Sequence, residues 1–177
     1  MDFETRSDVT EAEYVEMIRL KTSVLLACAL KIGAILGGAS EDDATHLYRL
    51  GECIGLAFQL RDDYLDVYGD PKVFGKNIGG DILCNKKTYM LITALTLANE
   101  EQRKELEYWL SVREGQEKEK IASVTRIYNN IGIGELCQKK IDALYEEGLT
   151  ALSTVGLPED RKKTLKALAC SMMNRKM

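Results

Sequence analysis

Proline is scarce in this chain, and its scarcity constrains the fold more than any other feature. Of the two prolines among 177 residues, Pro71 lies after a segment in which apolar residues recur with a helical period, and Pro158 occupies the first position of another, where a helix tolerates proline. Alternating runs of β-branched residues, typical of strands, are rare. The sequence therefore predicts an all-α chain of about seven helices, with a loop over 69–84. We predict these helices over 10–36, 40–69, 85–98, 100–112, 117–130, 135–154 and 158–174.

Composition excludes several classes of function. A net charge of −4 argues against nucleic acid as the main partner. The five cysteines show no paired spacing, so we expect reduced thiols in a cytoplasmic protein rather than disulfides or a zinc site. The acidic start predicts no signal peptide. The longest apolar stretch, 23–36, contains Lys31 and is too short to span a membrane. We expect a single all-α domain over 1–177, with no repeat or long linker.

Residues 50–68 are mostly apolar or small, yet they carry a stripe of polar side chains. At about 3.6 residues per turn, five positions fall on one face, namely Glu52, Gln59, Asp62, Asp63 and Asp66. An unpaired charge is costly to bury, so this face must meet water, cations or a metal. A solvated face is the usual explanation on a surface helix. Here the rest of the helix is too apolar, and a bound cation explains the stripe better.

A loop rich in glycine and lysine follows the carboxylates. It is not a Walker A loop, because Asp70 occupies the first glycine position and Asn77 replaces the Ser or Thr. Alone, such a loop is typically a solvated connector. Beside carboxylates that hold Mg²⁺, its lysines can neutralise phosphate oxygens, so the combination indicates a diphosphate site. Lys21 in the preceding helix is either a lysine that extends to solvent or a phosphate contact in the same cavity.

Three ordered motifs resemble the trans-isoprenyl diphosphate synthases, or polyprenyl synthetases, which include farnesyl and geranylgeranyl diphosphate synthases. The motifs are Gln59-x-x-Asp62-Asp63-x-x-Asp66, Gly75-Lys76-x-x-Gly79-x-Asp81 and Asn85-Lys86-Lys87-Thr88. Lys21 and Thr22, which are neighbours in the preceding helix, also match the family's position for a substrate diphosphate contact. The resemblance covers the whole chain, but only the C-terminal half of a full synthase. It implies an isoprenoid-synthase-type antiparallel helical bundle that is incomplete.

The resemblance also implies a reaction. In such enzymes up to three Mg²⁺ ions hold an allylic diphosphate, which ionises; isopentenyl diphosphate attacks the cation, and a proton is lost. Asp62 would be the principal ligand of one ion, supported by Asp63 and Asp66. The implied diphosphate contacts are Lys21, Lys76 and Lys86, and the implied catalytic residues are Lys21, Thr22, Gln59 and Lys76. Further candidates are Asp81, Lys87, Arg175 and Lys176, the last two in a basic tail that can close over the diphosphates.

The chain departs from this family in more than one respect. The first aspartate-rich motif is missing, because the only other adjacent pair, Asp42 and Asp43, follows Ser40 at a helix start, where acids favour capping. The arginines that bind isopentenyl diphosphate are also absent. We therefore expect this polypeptide alone to be inactive, as part of a longer chain or as the larger piece of a split one. Exposed apolar helix faces would then favour a homo-oligomer, including one formed by helix swapping.

One alternative function remains open, and two others are disfavoured. A non-catalytic subunit of a heteromeric prenyl synthase stays open, although intact metal ligands argue against a pure scaffold. A class I terpene cyclase is disfavoured, because no second metal motif of the required spacing follows Asp66. A di-iron bundle needs two Glu-x-x-His pairs, and the chain has a single histidine, His46.

Overall fold

The computed structural model describes residue 6 and residues 8–70 and 78–173. Over these ranges the regular structure is helical and includes no strand, which confirms the all-α prediction. A π-helical turn, Arg19–Ser23, joins the first two helices. The α-helices are α1 (Glu11–Ile18), α2 (Val24–Leu36), α3 (Glu41–Tyr68), α4 (Gly80–Leu83), α5 (Tyr89–Leu97), α6 (Glu100–Ser111), α7 (Glu117–Ile131), α8 (Ile133–Thr154) and α9 (Glu159–Met173).

Capping side chains explain where the helices begin. The Thr10 N–H donates to the Glu13 carboxylate at 2.9 Å, and the Glu13 N–H donates to Thr10 Oγ1 at 3.2 Å, which is a complete capping box before α1. Ser40 Oγ accepts from the Asp43 N–H at 3.1 Å before α3. Thr88 Oγ1 accepts from the backbone N–H three residues later, so α5 starts at Tyr89 rather than at the predicted residue 85.

The structure corrects the predicted elements at two further places. The segment predicted as one helix over 10–36 contains the π-helical turn. The segment predicted as a loop over 69–84 contains the short helix α4. Gly79 adopts a left-handed conformation with φ of 88°, and its N–H donates to the Asp66 carbonyl oxygen at 2.7 Å. This left-handed turn and its hydrogen bond hold the start of α4 beside the end of α3.

Contacts between Cα atoms divide the described residues into two compact units. The first contains the residues up to Tyr14 together with Asp62–Gln138, and the second contains Val15–Arg61 together with the residues from Lys139 onward. The division falls inside α1, α3 and α8. That residues 1–177 form a single domain stays a prediction.

The second unit has an apolar core between α3, α8 and α9. Its buried centre consists of Leu50, Ile54, Leu152, Val155 and Ala169. The π-helical turn and α2 both lie unusually close to α3, because a Cβ on Gly51 would be 2.6 Å from the Ala27 Cα in α2, and a Cβ on Gly55 would be 2.7 Å from the Ser23 Cα in the turn. Only glycine permits this approach. The five cysteines carry free thiols. In the described part of the chain, no helix is both long and apolar enough to cross a membrane.

Candidate functional site

The candidate site in the first unit is centred on Asp63 near the end of α3. Asp63 is only 2% exposed. The hydroxyl of Tyr14, on α1, donates to Asp63 Oδ2, and Lys86 Nζ lies 3.0 Å from Asp63 Oδ1. Lys86 Nζ also donates to Asp81 Oδ2 at 2.8 Å. The buried charge of Asp63 therefore has a cationic partner and a neutral hydroxyl donor, as a buried carboxylate requires.

The protonation states follow from this geometry. Burial raises the pKa of the Asp63 carboxyl, against the opposing effects of the Lys86 charge and the Tyr14 hydrogen bond. Burial and the Asp63 charge raise the pKa of Tyr14 well above its usual range. Burial lowers the pKa of Lys86, but the charges and hydrogen bonds of Asp63 and Asp81 outweigh it, so the pKa of Lys86 is raised overall. Near neutral pH, Tyr14 is thus a neutral donor and Lys86 a cation.

Asp66 joins the end of α3 to α4. Its Oδ2 accepts from the Asp81 N–H at 2.8 Å, and its carbonyl oxygen accepts from the Gly79 N–H. Burial raises the pKa of the Asp66 carboxyl, and the hydrogen bond from the Asp81 N–H opposes that rise. The same helix start that binds Asp66 also carries the Asp81 side chain to Lys86. The structure therefore brings together Asp63, Asp66, Asp81 and Lys86.

The carboxylates of α3 could supply some, but not all, of the ligands of a magnesium ion. Asp62 and Asp66 are four residues apart, so they lie on one face of α3, and both are half-buried. Over the described ranges, no group of three or more His, Cys, Asp or Glu side chains is arranged to hold a metal. Mg²⁺ usually binds through one or two carboxylates, water and substrate phosphates rather than in an all-protein cage. Asp62 and Asp66 fit such a site, whereas Asp63 is engaged by Lys86 and Tyr14.

In the second unit, the structure brings together Thr22 and Gln59. Thr22 Oγ1 donates to Gln59 Oε1 at 3.2 Å. Lys21 is exposed, and both Lys21 and Thr22 lie in the π-helical turn. π-helical turns inside α-helices are frequent at functional sites. The neighbouring Ser23 is fully buried, and no described group bonds its hydroxyl. A distorted backbone and a buried hydroxyl without a partner are both costly, which is typical of a segment kept for function.

Glu52, at the start of the predicted stripe, has a different environment. Arg19 Nη1 lies 3.2 Å from Glu52 Oε1, and the Arg49 guanidinium pairs with Glu52 Oε2. Arg49 also pairs with Glu147 on α8. At Glu52, the cations that the polar stripe was predicted to meet are the side chains of Arg19 and Arg49. Glu52 belongs to an ion-pair network between helices of the second unit.

Four further predicted site residues are not among the contacts of Asp63, Asp66 or Thr22 that the structure describes. Lys76, Arg175 and Lys176 lie outside the described residues. Lys87 is half-buried and lines a groove beside α5, together with Asp8, Glu11 and Arg103.

Tyr14 was not among the residues that the sequence predicted for this site. One signal was available, because a tyrosine on the apolar face of a helix needs a partner for its hydroxyl once it is buried. The identity of that partner, 49 residues further along the chain, could not be inferred from spacing.

Solved structures show the same fold over almost the whole chain. A crystal structure of a geranylgeranyl pyrophosphate synthase matches 99% of this chain and 55% of that chain, with a TM-score of 0.90 and 39% sequence identity. The enzyme of that name from Corynebacterium glutamicum, solved in complex with isoprenyl diphosphate and magnesium, matches 98% of this chain and 49% of that chain at 32% identity and a TM-score of 0.86. The fold is therefore that of the all-α geranylgeranyl pyrophosphate synthases.

Comparison of sequences defines the family. A family model described as polyprenyl synthetase matches residues 1–130. A short chain isoprenyl diphosphate synthase of Methanothermobacter thermautotrophicus is 44% identical over 135 residues, which are 76% of this chain and 41% of that protein. A geranylgeranyl diphosphate synthase of Sulfolobus acidocaldarius is 32% identical over 170 residues, 96% of this chain and 51% of that protein. The chain belongs to the polyprenyl synthetase family, and it spans about half the length of these relatives.

Proposed function

We propose that this chain forms the part of a trans-isoprenyl diphosphate synthase that binds the leaving diphosphate. The complete enzyme would condense isopentenyl diphosphate with an allylic diphosphate. The observation that carries this proposal is the ion pair between the buried Asp63 and the partly exposed Lys86, next to Asp62 and Asp66 on the same helix as Asp63. Family membership and relatives named as isoprenyl or geranylgeranyl diphosphate synthases support it.

Lys86 is the central cation of the proposed site. A lysine has three N–H donors; two of those on Lys86 meet Asp63 and Asp81, and the third can meet a diphosphate oxygen. The two carboxylates hold the ammonium group in place before substrate arrives, so little reorganisation is needed when negative charge develops on the leaving diphosphate. Lys21 and Lys76 would add further positive charge.

Asp62 and Asp66 would hold Mg²⁺, with Asp63 supporting them through Lys86. The ion, when bound, neutralises charge on the diphosphate oxygens and thereby favours departure of the leaving group. Thr22 and Gln59 would place their oxygen atoms along the allylic cation, which is stabilised by nearby oxygen dipoles. We further propose a cytoplasmic location, where free thiols stay reduced.

Calorimetry with inorganic diphosphate tests the proposed site. The wild type should bind diphosphate in the presence of Mg²⁺ and much more weakly without it. Asp62→Ala should weaken the magnesium-dependent binding at least about tenfold, because a ligand of the ion is lost. Asp160→Ala removes the same charge from an exposed position on α9, and it should bind like the wild type. Binding that is independent of Mg²⁺, or equal in both variants, would contradict the proposal.

A complementation assay tests the complete reaction. The chain is mixed with a separately produced N-terminal half of a relative, and condensation of isopentenyl diphosphate with an allylic diphosphate is measured. Turnover that depends on both halves supports the synthase, and loss of turnover in Asp62→Ala would assign the metal site to this chain. Stable association without turnover, or turnover unaffected by Asp62→Ala, would favour the alternative of a non-catalytic subunit.

A further inference from the structure

Lys120 on α7 is a buried lysine with unusual surroundings. It is 3% exposed. Within the described part of the chain, its ammonium group meets three neutral oxygens: Asn85 Oδ1 at 2.7 Å, the Val112 carbonyl at 3.0 Å and the Leu83 carbonyl at 3.5 Å. Burial lowers the pKa of Lys120, and the Arg113 charge lowers it further. A buried cation held by neutral acceptors costs desolvation energy that an apolar residue would avoid, so its position needs an explanation.

The nearest acceptor, Asn85, lies in a strained turn. Asn85 has a φ of 53°, and among the described residues it is the one non-glycine with a positive φ. Such a conformation is unfavourable for a residue with a Cβ, although asparagine tolerates it better than most. Both ends of the Asn85 amide are bonded, because Nδ2 donates to the Leu110 carbonyl at 2.8 Å and Oδ1 accepts from Lys120. The surrounding helices α6 and α7 therefore hold the left-handed turn in place.

The turn immediately precedes Lys86. The Asn85 N–H donates to the Ile82 carbonyl at 3.1 Å, and the Lys86 N–H donates to the Asp81 carbonyl at 2.9 Å. These bonds continue the chain from α4 through Asn85 into Lys86. A change in the Asn85 backbone angle would displace the Cα of Lys86, and with it the ammonium group that meets Asp63 and Asp81.

We propose that Lys120 is a positioning residue for the diphosphate site: it holds Asn85 in the left-handed turn and so directs Lys86 toward Asp63 and Asp81. The inference rests on the proposed function, because it assigns to Lys120 an effect on diphosphate binding. A purely structural lysine would stabilise the junction of α4, α6 and α7 without acting through Lys86.

Two variants remove the interaction in different ways. Lys120→Met keeps the length of the side chain and removes its donors. Asn85→Gly keeps the left-handed backbone accessible and removes the amide that Lys120 and Leu110 hold, so it tests the same link even if Lys120→Met folds poorly. Lys118→Met changes an exposed lysine of the same helix and is the matched control. Thermal unfolding of each variant reports whether it is folded.

The decisive measurement is a double-mutant cycle on magnesium-dependent binding of inorganic diphosphate, measured by calorimetry. Lys120→Met should raise Kd about tenfold in the wild type, the effect expected for a residue that orients a ligand-binding group. In a Lys86→Met background it should change Kd by less than about twofold, since Lys120 acts through Lys86. Asn85→Gly should show the same dependence on Lys86, and Lys118→Met should bind like the wild type.

Two outcomes would overturn the inference, and they are distinguishable. If the wild type binds diphosphate and folded Lys120→Met binds equally well, or if the effect of Lys120→Met is the same with and without Lys86, the positioning role is wrong and the proposed function stands. If the wild type itself fails to bind diphosphate with Mg²⁺, the proposed function fails and the positioning role fails with it.

Discussion

Neighbouring aspartates in α3 have opposite environments. Asp63 is buried against Tyr14 and Lys86, whereas Asp62 is half-buried on the face that it shares with Asp66. The spacing of these carboxylates predicted that they belong to one site. The motif that contains Lys86 predicted that this lysine belongs to the same site. Which carboxylate turns inward could not be predicted, because that depends on a tyrosine from another helix.

The two aspartates should therefore differ in their effect on stability. Asp63→Asn leaves Lys86 without its most buried partner, and because Lys86 is partly exposed we expect a loss of about 2 kcal/mol, below the usual cost of breaking a fully buried pair. Asp62→Asn should lower the free energy of unfolding by less than Asp63→Asn does, because Asp62 is only half-buried. Urea unfolding of both variants measures the difference. An equal loss in the two variants would contradict the anchoring role of Asp63.

The cysteines provide a second prediction for single residues. Burial raises the pKa of the Cys53 thiol to about 11, whereas Cys84 and Cys170 are exposed. Iodoacetamide at pH 8 should alkylate Cys84 and Cys170 in the folded chain and leave Cys53 unmodified, since the thiolate is the reactive form. Peptide mass spectrometry measures the modification at each position. Rapid alkylation of Cys53 without unfolding would contradict its burial.

The same thiol predicts a dependence of stability on pH. The folded-state pKa of Cys53 lies above its ordinary value of 9.0, so the folded chain retains a proton that the unfolded chain releases. The free energy of unfolding that Cys53 contributes by keeping this proton is fully present below pH 9 and is lost as the pH rises through about 11. The free energy of unfolding should fall over this range by less in Cys53→Ala than in the wild type. Parallel pH profiles of the two proteins would contradict it.

At the scale of elements, sequence predicted helix ends better than helix interruptions. Thr10 with Glu13, and Ser40 with Asp43, are local capping signals, and the structure contains both caps. The π-helical turn was not predictable, because its five residues include no glycine or proline and it lies where Ser23 packs on Gly55. The helix α4 has four residues, too few to show a hydrophobic period.

Two glycine substitutions should have opposite effects, because only one of the two glycines lies in a close contact between helical segments. A Cβ on Gly55 would meet the Ser23 backbone, so Gly55→Ala should destabilise the chain by about 2 kcal/mol. Gly33, in α2, has no atom within 4 Å of its added Cβ, so Gly33→Ala should stabilise by about 0.5–1 kcal/mol through helix propensity. Urea unfolding compares the two. A stabilising Gly55→Ala would show that the helices are further apart than described.

At the scale of the whole molecule, the periodic pattern of apolar residues was enough to predict an all-α fold, because helix period and proline scarcity are properties of sequence alone. The division into two compact units was not predictable from sequence, because its boundaries fall inside continuous helices that carry no glycine or proline signal there. Long-range contacts set those boundaries, and a local pattern does not encode them.

Exposed apolar side chains on α2 predict self-association. Leu25 and Leu36 are 78% and 83% exposed, and Ile32 lies between them on the same face. A contiguous apolar surface favours association, so we expect a dimer or larger homo-oligomer at micromolar concentration, including one formed by helix swapping. Size-exclusion chromatography with light scattering measures the mass.

Substitutions test whether this face is responsible. Leu25→Glu with Leu36→Glu should shift the mass toward the monomer, since charges on the face oppose its burial. Leu168→Glu, at another exposed leucine on α9, serves as the control and should leave the mass unchanged. A wild type that remains strictly monomeric across the concentration range would contradict the prediction.

The π-helical turn has a consequence for how this chain tolerates insertions and deletions. A π turn holds one residue more than the α turn that it replaces, and each residue of an α-helix turns the chain by about 100°. The extra residue thus sets how far Tyr14 is rotated about the helix axis relative to the residues that follow the turn. Deleting a single residue between Arg19 and Ser23 would restore an uninterrupted α-helix, yet it would rotate Tyr14, whose hydroxyl donates to Asp63, by about 100° relative to the residues that follow the turn. In this segment, the number of residues is therefore a requirement in addition to their identity.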